Sequence, residues 1–303
     1  MMKSSPFDVG FFEEYLREKK NLAESSIHYY VQGVSRFLKT DPNLESLESY
    51  NTFIIEHGIK KRSGQYYSIL KAFIEYKISD GNLRNKLLDG LIRPPERHDI
   101  KVERKFLNEN RILDVISNLK NEKHRLIGLI QSLTGVRAGD VLRIARGNIQ
   151  SERYEGKEAV LRLVIIGKGK KRNVVYLHDR VAIGLLLNWV QNNYLHDEYY
   201  FLTTKNRWGK ELNHEGDFFK LYNYNYKQYW MDLKQALNKC GIDPKDFATH
   251  DMRRCFARRV WERYKDIHVL QSMLNHSDPK VTLKYLEQSG LKNVDYHYEM
   301  QTN

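Results

Sequence analysis

HDMRRCFARRVWERYKDIHVLQSMLNHSDPKVTLKY, residues 250–285, decides the reading of this chain. Met252, Phe256 and Val260 lay an apolar stripe along a helix expected at 250–265, and a second helix is expected at 267–275. Asp278 and Pro279 then signal a third, because aspartate is a good N-cap and proline suits the first helical position. Tyr285 falls about two turns into that helix, nine positions after His276, which occupies the connecting turn. His250 and Arg253 stand one turn apart and so share a face, where both can converge on one oxyanion. Each feature also has an ordinary explanation. Arg253, Arg254, Arg258, Arg259 and Arg263 could be a solvated basic face, and with 20 tyrosines in the chain a given one is first a packing residue. The ordered set, and the spacing of Tyr285 from His276, point beyond them.

Working upstream, helices are expected at about 216–239 and 181–194, preceded by a change of texture at Ala159–Leu177. There, branched residues flank the glycine-rich turn Gly167-Lys168-Gly169-Lys170-Lys171-Arg172, which predicts a β-hairpin with a basic tip. The turn lacks the spacing of a nucleotide-binding P-loop and does not lead from a strand into a helix, so ATP binding is unsupported. A lysine there is either a soluble turn residue or one able to enter a DNA groove or protonate a leaving oxygen. Two helices precede the hairpin, at 108–119 and 122–133, the second with an apolar face of Leu126, Ile127, Leu129 and Ile130. It runs into Thr134-Gly135-Val136-Arg137-Ala138-Gly139-Asp140, where Arg137 follows a flexible glycine and Asp140 lies on the next turn. An exposed arginine paired with a nearby acid is the simpler account of that turn.

Arg93-Pro94-Pro95-Glu96-Arg97 interrupts the helical pattern, since paired prolines cannot continue a helix. Before it, segments at 7–20, 22–39, 44–57 and 63–79 read as a compact four-helix unit, with Tyr66, Leu70, Phe73 and Ile74 on one apolar stripe. At 303 residues two domains are the better expectation: residues 1–94, a linker at 95–105, and residues 106–303. A 41% hydrophobic and 29% charged composition fits a globular protein, and no run approaches the ~18 apolar residues of a spanning helix. No secretory signal is read at the N-terminus, so the expected location is cytoplasmic and nucleoid-associated. Cys240 and Cys255 are too few for a disulfide framework, have no zinc-ligand spacing, and are expected to be buried thiols. The net charge of +12 favours a polyanionic partner, nucleic acid first.

With these motifs in place, the chain resembles the tyrosine recombinases, the family of phage integrases and Xer resolvases, over nearly its whole length. A Thr-Gly-Leu-Arg type motif followed by an acid is similar to Thr134–Asp140, with Val136 in place of leucine. The hairpin lysine corresponds to Lys168, the His-x-x-Arg motif to His250 and Arg253, the Leu-Gly-His motif to Leu274-Asn275-His276, and the nucleophile to Tyr285. All six active positions hold the expected residue types, and Asn275 stands where the family usually has glycine. The resemblance implies a mainly α fold: a four-helix core-binding (SAM-like) domain, then a mostly helical catalytic domain with a small antiparallel β-sheet.

It also implies the chemistry. Tyr285 attacks a DNA phosphodiester to give a 3′-phosphotyrosyl linkage. Arg137 and Arg253 hold the nonbridging oxygens, with Asp140 in support and His276 as a further donor. His250 either orients the phosphate or takes the tyrosine proton, and Lys168, with Lys170 as substitute, protonates the leaving 5′-oxygen. No metal and no cofactor is expected. The partner is a double-stranded DNA recombination site bound by a homodimer or tetramer, with no membrane association. Lys60, Lys61, Arg62, Lys71, Lys170, Lys171, Arg172 and Arg254 are the expected DNA contacts. A Leu291, Val294, Tyr298 stripe in the tail either docks on a neighbouring protomer or frays. Nothing before Phe7 resembles an arm-binding domain, which favours a simple Xer-like or mobile-element integrase. The competing readings are a type IB topoisomerase, which uses similar residues, and a non-catalytic DNA-binding regulator.

Overall fold

Phe12, Phe37, Phe53 and Phe73 meet ring to ring at the centre of the first of two units, Met1–Ile100 and Lys101–Asn303, with Phe12 edge-on to Phe73 at 6.0 Å and Phe37 edge-on to Phe53 at 5.3 Å. The computed structural model describes residues 7–59, 65–93, 106–152, 160–166, 172–193, 198–205, 210–212, 218–276 and 278–288. The expected linker at 95–105, the tail from Leu291, and Lys60, Lys61, Arg62, Lys168, Lys170 and Lys171 lie outside those residues.

In the first unit, α1 (Val9–Glu18) is capped by Asp8, which accepts from the Phe11 N–H, and buries Phe12 and Leu16 one turn apart. Helix α2 (Glu24–Leu38) crosses α4 (Gln65–Lys77) where Gly33 faces Ile69; a Cβ on Gly33 would lie 2.7 Å from that side chain, so glycine permits the close approach. Between them α3 (Leu47–Phe53) runs directly into a π-helical turn, Ile54–Ile59. Tyr66, Leu70, Phe73 and Ile74 are buried on α4 as the periodicity predicts, and Lys71 is exposed.

A fifth helix, α5 (Gly81–Gly90), adds to the four expected from the sequence. Asp80-Gly81-Asn82 has the composition of a turn, but the Asp80 carboxylate accepts from the Asn82 and Leu83 N–H groups at 2.8 and 3.1 Å and starts a helix instead. Asn51 of α3 fastens its far end, donating to the Gly90 carbonyl at 3.0 Å and accepting from the Ile92 N–H at 2.8 Å.

The second unit begins with α6 (Glu109–Ser117), α7 (Glu122–Thr134) and the single turn α8 (Ala138–Val141). A three-stranded antiparallel sheet follows in the order β1 (Ile149–Glu152), β2 (Val160–Ile166), β3 (Arg172–Leu177). Its hairpin is the one expected from the sequence, and β1 adds an edge strand, with Ile149 opposite Leu163 and Leu163 opposite Val175. Leu161, Leu163 and Ile165 alternate onto the core. Then come α9 (Arg180–Asn192), α10 (Phe218–Lys239), α11 (Thr249–Tyr264), α12 (Ile267–Leu274) and α13 (Pro279–Gln288). Among the described residues no helix is long and apolar enough to cross a membrane.

Helix α10 carries polar groups on its buried stripe, each satisfied. Asn225 accepts from the Lys123 ammonium at 2.8 Å, and Asp232 holds His124 at 2.8 Å, so both clamp the start of α7. A smaller core joins Phe256, Val260 and Trp261 of α11 to Ile267, Leu270 and Leu274 of α12 and Leu286 of α13. Cys255 is buried, whereas Cys240, expected to be buried too, is only partly covered at the end of α10.

Asp80→Ala removes the cap of α5. A loss of about 1 kcal/mol in urea unfolding is expected, with faster hydrogen exchange confined to residues 82–90.

Candidate active site

The site is built from three chain reversals. The first ends α7: Gly135 adopts φ 70°, and its N–H returns to the Gln131 carbonyl at 2.9 Å. A Cβ there would lie 2.3 Å from the Phe256 ring, so glycine is required by backbone and packing alike. Arg137 follows in extended conformation as N-cap of α8, whose four residues are all buried, leaving its own side chain 45% exposed at the rim. Asp140 is held between two guanidiniums, 3.6 Å from Arg137 and 3.8 Å from Arg143. Arg143 in turn lies over the Tyr222 ring at 4.8 Å.

The second reversal starts α11. Asp251 accepts from the Ala248 N–H at 2.7 Å and pairs with Arg254. Arg254, an expected DNA contact, has its guanidinium on Asp251 and so braces the helix start. His250 presents an exposed edge, while Arg253, one turn on, is 3% exposed, which overturns the solvated-face reading of this residue. The Arg253 guanidinium donates to the Gly135 carbonyl at 2.6 Å, to the Leu274 carbonyl at 2.6 Å, and reaches His276 Nε2 at 3.0 Å.

The third reversal ends α12. Asn275 takes up the left-handed conformation, φ 50° and ψ 49°, that glycine would supply, and asparagine is among the side chains best suited to it. The turn is therefore intact despite the substitution. His276 is then buried, with Nδ1 2.9 Å from the Thr282 hydroxyl of α13. A guanidinium can only donate, so Nε2 must accept from Arg253, and the ring proton sits on Nδ1, donating to Thr282. Thr282, which sequence reasoning missed, thus couples His276 to the helix that carries Tyr285 three residues later. Leu286, fully buried, packs that helix down.

The electrostatics show which of these groups have been gathered. Burial of its inner face first, then Arg137, Arg253 and Arg254, push the His250 imidazole down to about 4. Burial first, then Arg253, Arg137 and His250, push His276 down to about 4 as well. Arg137, His250, Arg253 and His276 therefore sense one another, although the sequence separates the first from the last by over 100 residues. Arg172 is exposed at the start of β3, opposite Ile166, at the base of the hairpin whose tip lies outside the described residues. Among the described residues no group of three His, Cys, Asp or Glu is placed to hold a metal ion.

A cluster of two arginines and two neutral imidazoles facing a half-open rim is suited to a phosphate. The free protein's His250 and His276 are expected to titrate near 4 by NMR, against about 6.5 in an unfolded chain. Between those values the unfolded chain binds more protons, so folding stability should fall as pH drops from 6.5 to 4. Titration of both imidazoles near 6.5 would show that they are not gathered beside the arginines.

The phage integrase family model matches residues 105–290. The chain is 24% identical to a tyrosine recombinase of Pseudothermotoga lettingae, with 91% of each chain covered, and 21% identical to the tyrosine recombinase XerD of Lacticaseibacillus casei, with 93% of this chain and 94% of that protein covered. A stretch of 59 residues is 37% identical to the probable integrase/recombinase YoeC of Bacillus subtilis, covering 20% of this chain and 32% of that protein. In fold it is similar to XerH bound to a palindromic difH substrate (TM-score 0.59, 17% identity, 92% of this chain and 81% of that one). It is equally similar to a lambda integrase dimer bound to a core site (TM-score 0.59, 16% identity, 93% and 77%).

Proposed function

Since the chain belongs to the phage integrase family and is a tyrosine site-specific recombinase, we propose that Tyr285 is its nucleophile and that Arg137, His250, Arg253 and His276 form the phosphate cradle. The observation that carries this reading is the Arg253 guanidinium, which ties the Arg137 turn to His276 through the Gly135 carbonyl and the imidazole itself. A phosphodiester repels nucleophiles and gathers negative charge in the transition state, so donors fixed beforehand around its oxygens lower the barrier.

The roles divide by protonation. His250 is neutral at physiological pH and open on one edge, which suits it to receive the Tyr285 proton. Burial first and the arginine charges second hold both histidines neutral, and a bound phosphate offsets the second, so each imidazole becomes easier to protonate once DNA is in place. His276 can then turn Nε2 into a donor towards the phosphate. Asp140 supports by fixing Arg137. Lys168, with Lys170 as substitute, is assigned to the leaving 5′-oxygen. The 3′-phosphotyrosyl bond conserves the phosphodiester energy, so the 5′-hydroxyl of a second strand can reverse the step without ATP.

The partner is duplex DNA carrying a recombination site, engaged by a dimer that pairs into a tetramer; the similar folds of XerH bound to difH, a lambda integrase dimer on a core site and a lambda integrase tetramer on a Holliday junction support this. Residues 1–94 act as a clamp, with Lys71 and the Lys60, Lys61, Arg62 run on phosphates, and Lys171 and Arg172 add contacts from the hairpin. The relatives are named as recombinases, which favours exchange over simple relaxation or regulation.

A covalent-trapping screen on nicked suicide duplexes tests the reading. Tyr285→Phe should keep DNA affinity and form no adduct; an adduct that persists excludes Tyr285. Arg137→Ala is the cleaner cradle test, because this half-exposed side chain can be removed without orphaning buried carbonyls. It should slow adduct formation by about 10²–10³-fold.

A further inference from the structure

Helix α7 buries several polar side chains, and Gln131 in its last turn is the most enclosed of them. Gln131 has no exposed surface, yet its amide is fully engaged. Nε2 donates to the Val136 carbonyl and to the Thr249 carbonyl, each at 3.3 Å, and Oε1 accepts from the Tyr229 hydroxyl at 2.8 Å. The Tyr229 phenol lies in the core of α10, where burial raises its pKa, so it stays protonated and donates to Oε1. The two carbonyls, which can only accept, fix the amide orientation. Flipped, Gln131 would aim its oxygen at two carbonyl oxygens and lose both bonds.

The two acceptors are not arbitrary carbonyls. Val136 contributes the peptide that leads into Arg137, and Thr249 the peptide that leads into His250. Thr249 is also held through its hydroxyl, 2.8 Å from that of Tyr226 on α10. One planar group therefore spans two chain segments 113 residues apart and bonds each immediately before a residue of the cradle. We propose that Gln131 is a positioning residue for strand cleavage, setting the distance between Arg137 and His250 through the peptide planes that precede them. This rests on the assignment of Arg137 and His250 to the site.

The geometry makes the role separable from plain stability. Arg253 also joins these segments, but through the Gly135 carbonyl, on the helix side of the turn. Gln131 acts on the Arg137 side. Without it the Val136 peptide can rotate while Gly135 stays anchored, and displacements near 1 Å at reacting groups cost about 10²-fold in rate.

The test uses the full-length protein on the trapped suicide duplex, read by single-turnover adduct formation at saturating DNA. Gln131→Met keeps the side chain's length and volume and removes the bonds. Adduct formation should slow ~10–100-fold while the DNA dissociation constant stays within ~3-fold. Val115→Ala, a core truncation on α6, supplies the control: brought to the same fall in Tm, it should cleave at the wild-type rate. Should Gln131→Met fail to fold, Tyr229→Phe removes only the hydroxyl that anchors the amide oxygen and should slow cleavage ~3–10-fold. Wild-type cleavage by the folded Gln131 variant, or an equal loss in Val115→Ala, overturns the proposal. Wild-type cleavage by Arg137→Ala instead removes the site assignment itself, so the two failures are told apart.

Discussion

A guanidinium buried to 3% exposure is the constraint around which the second unit is arranged. Removing a cation from water costs less when its donors are used, and the two terminal nitrogens of Arg253 bond the Gly135 carbonyl, the Leu274 carbonyl and His276 Nε2. These partners come from the end of α7, the end of α12 and the turn beyond it. They are also neutral, so they satisfy hydrogen bonds without cancelling charge. Burial first, then this surplus together with the Arg137 charge, opposes protonation of both histidines. One interaction thus closes the site and contributes to its electrical character.

The carbonyls can face the guanidinium because the chain reverses sharply beside each. Gly135 and Asn275 are both left-handed, at φ 70° and 50°, and each ends a helix within one residue of a carbonyl that Arg253 uses. Phe256, one turn beyond Arg253 on α11, fills the space over Gly135 and belongs to the small core that also takes Leu274 and Leu286. The apolar packing of α11, α12 and α13 therefore fixes the polar geometry, and Thr282 carries it on to the helix of Tyr285.

Much of this was legible in the sequence because it is written in local signals. Helix periodicity, the hairpin's branched residues, Asp278-Pro279 and the order of the motifs needed no knowledge of tertiary contacts. What stayed hidden is what depends on partners far along the chain. Helix α5 follows a turn-like Asp80-Gly81 and is held by Asn51, some 40 residues earlier. Strand β1 is mostly polar and exists because β2 pairs with it. Gln131 left a trace, a lone amide among apolar residues of α7, but its acceptors could not be named. Asn275 is the reverse case: a departure from the family pattern that the backbone accommodates.

Exposure finally divides the cradle into a fixed wall and an open side. Arg253 and His276 are buried and bonded into the framework, whereas Arg137 and His250 reach the solvent. In the proposed assignment a phosphate approaches from the open side, where Arg137 is tethered by Asp140 and the His250 imidazole is neutral. Arg253 cannot move without orphaning buried carbonyls, so positional fitting to the transition state falls mainly on the two exposed residues. Their freedom is limited by the peptides that precede them, and both peptides are bonded to the same buried amide. Precision at the rim is in this way inherited from the core, which lets the site stay open enough for a bulky duplex and still present its donors at one spacing.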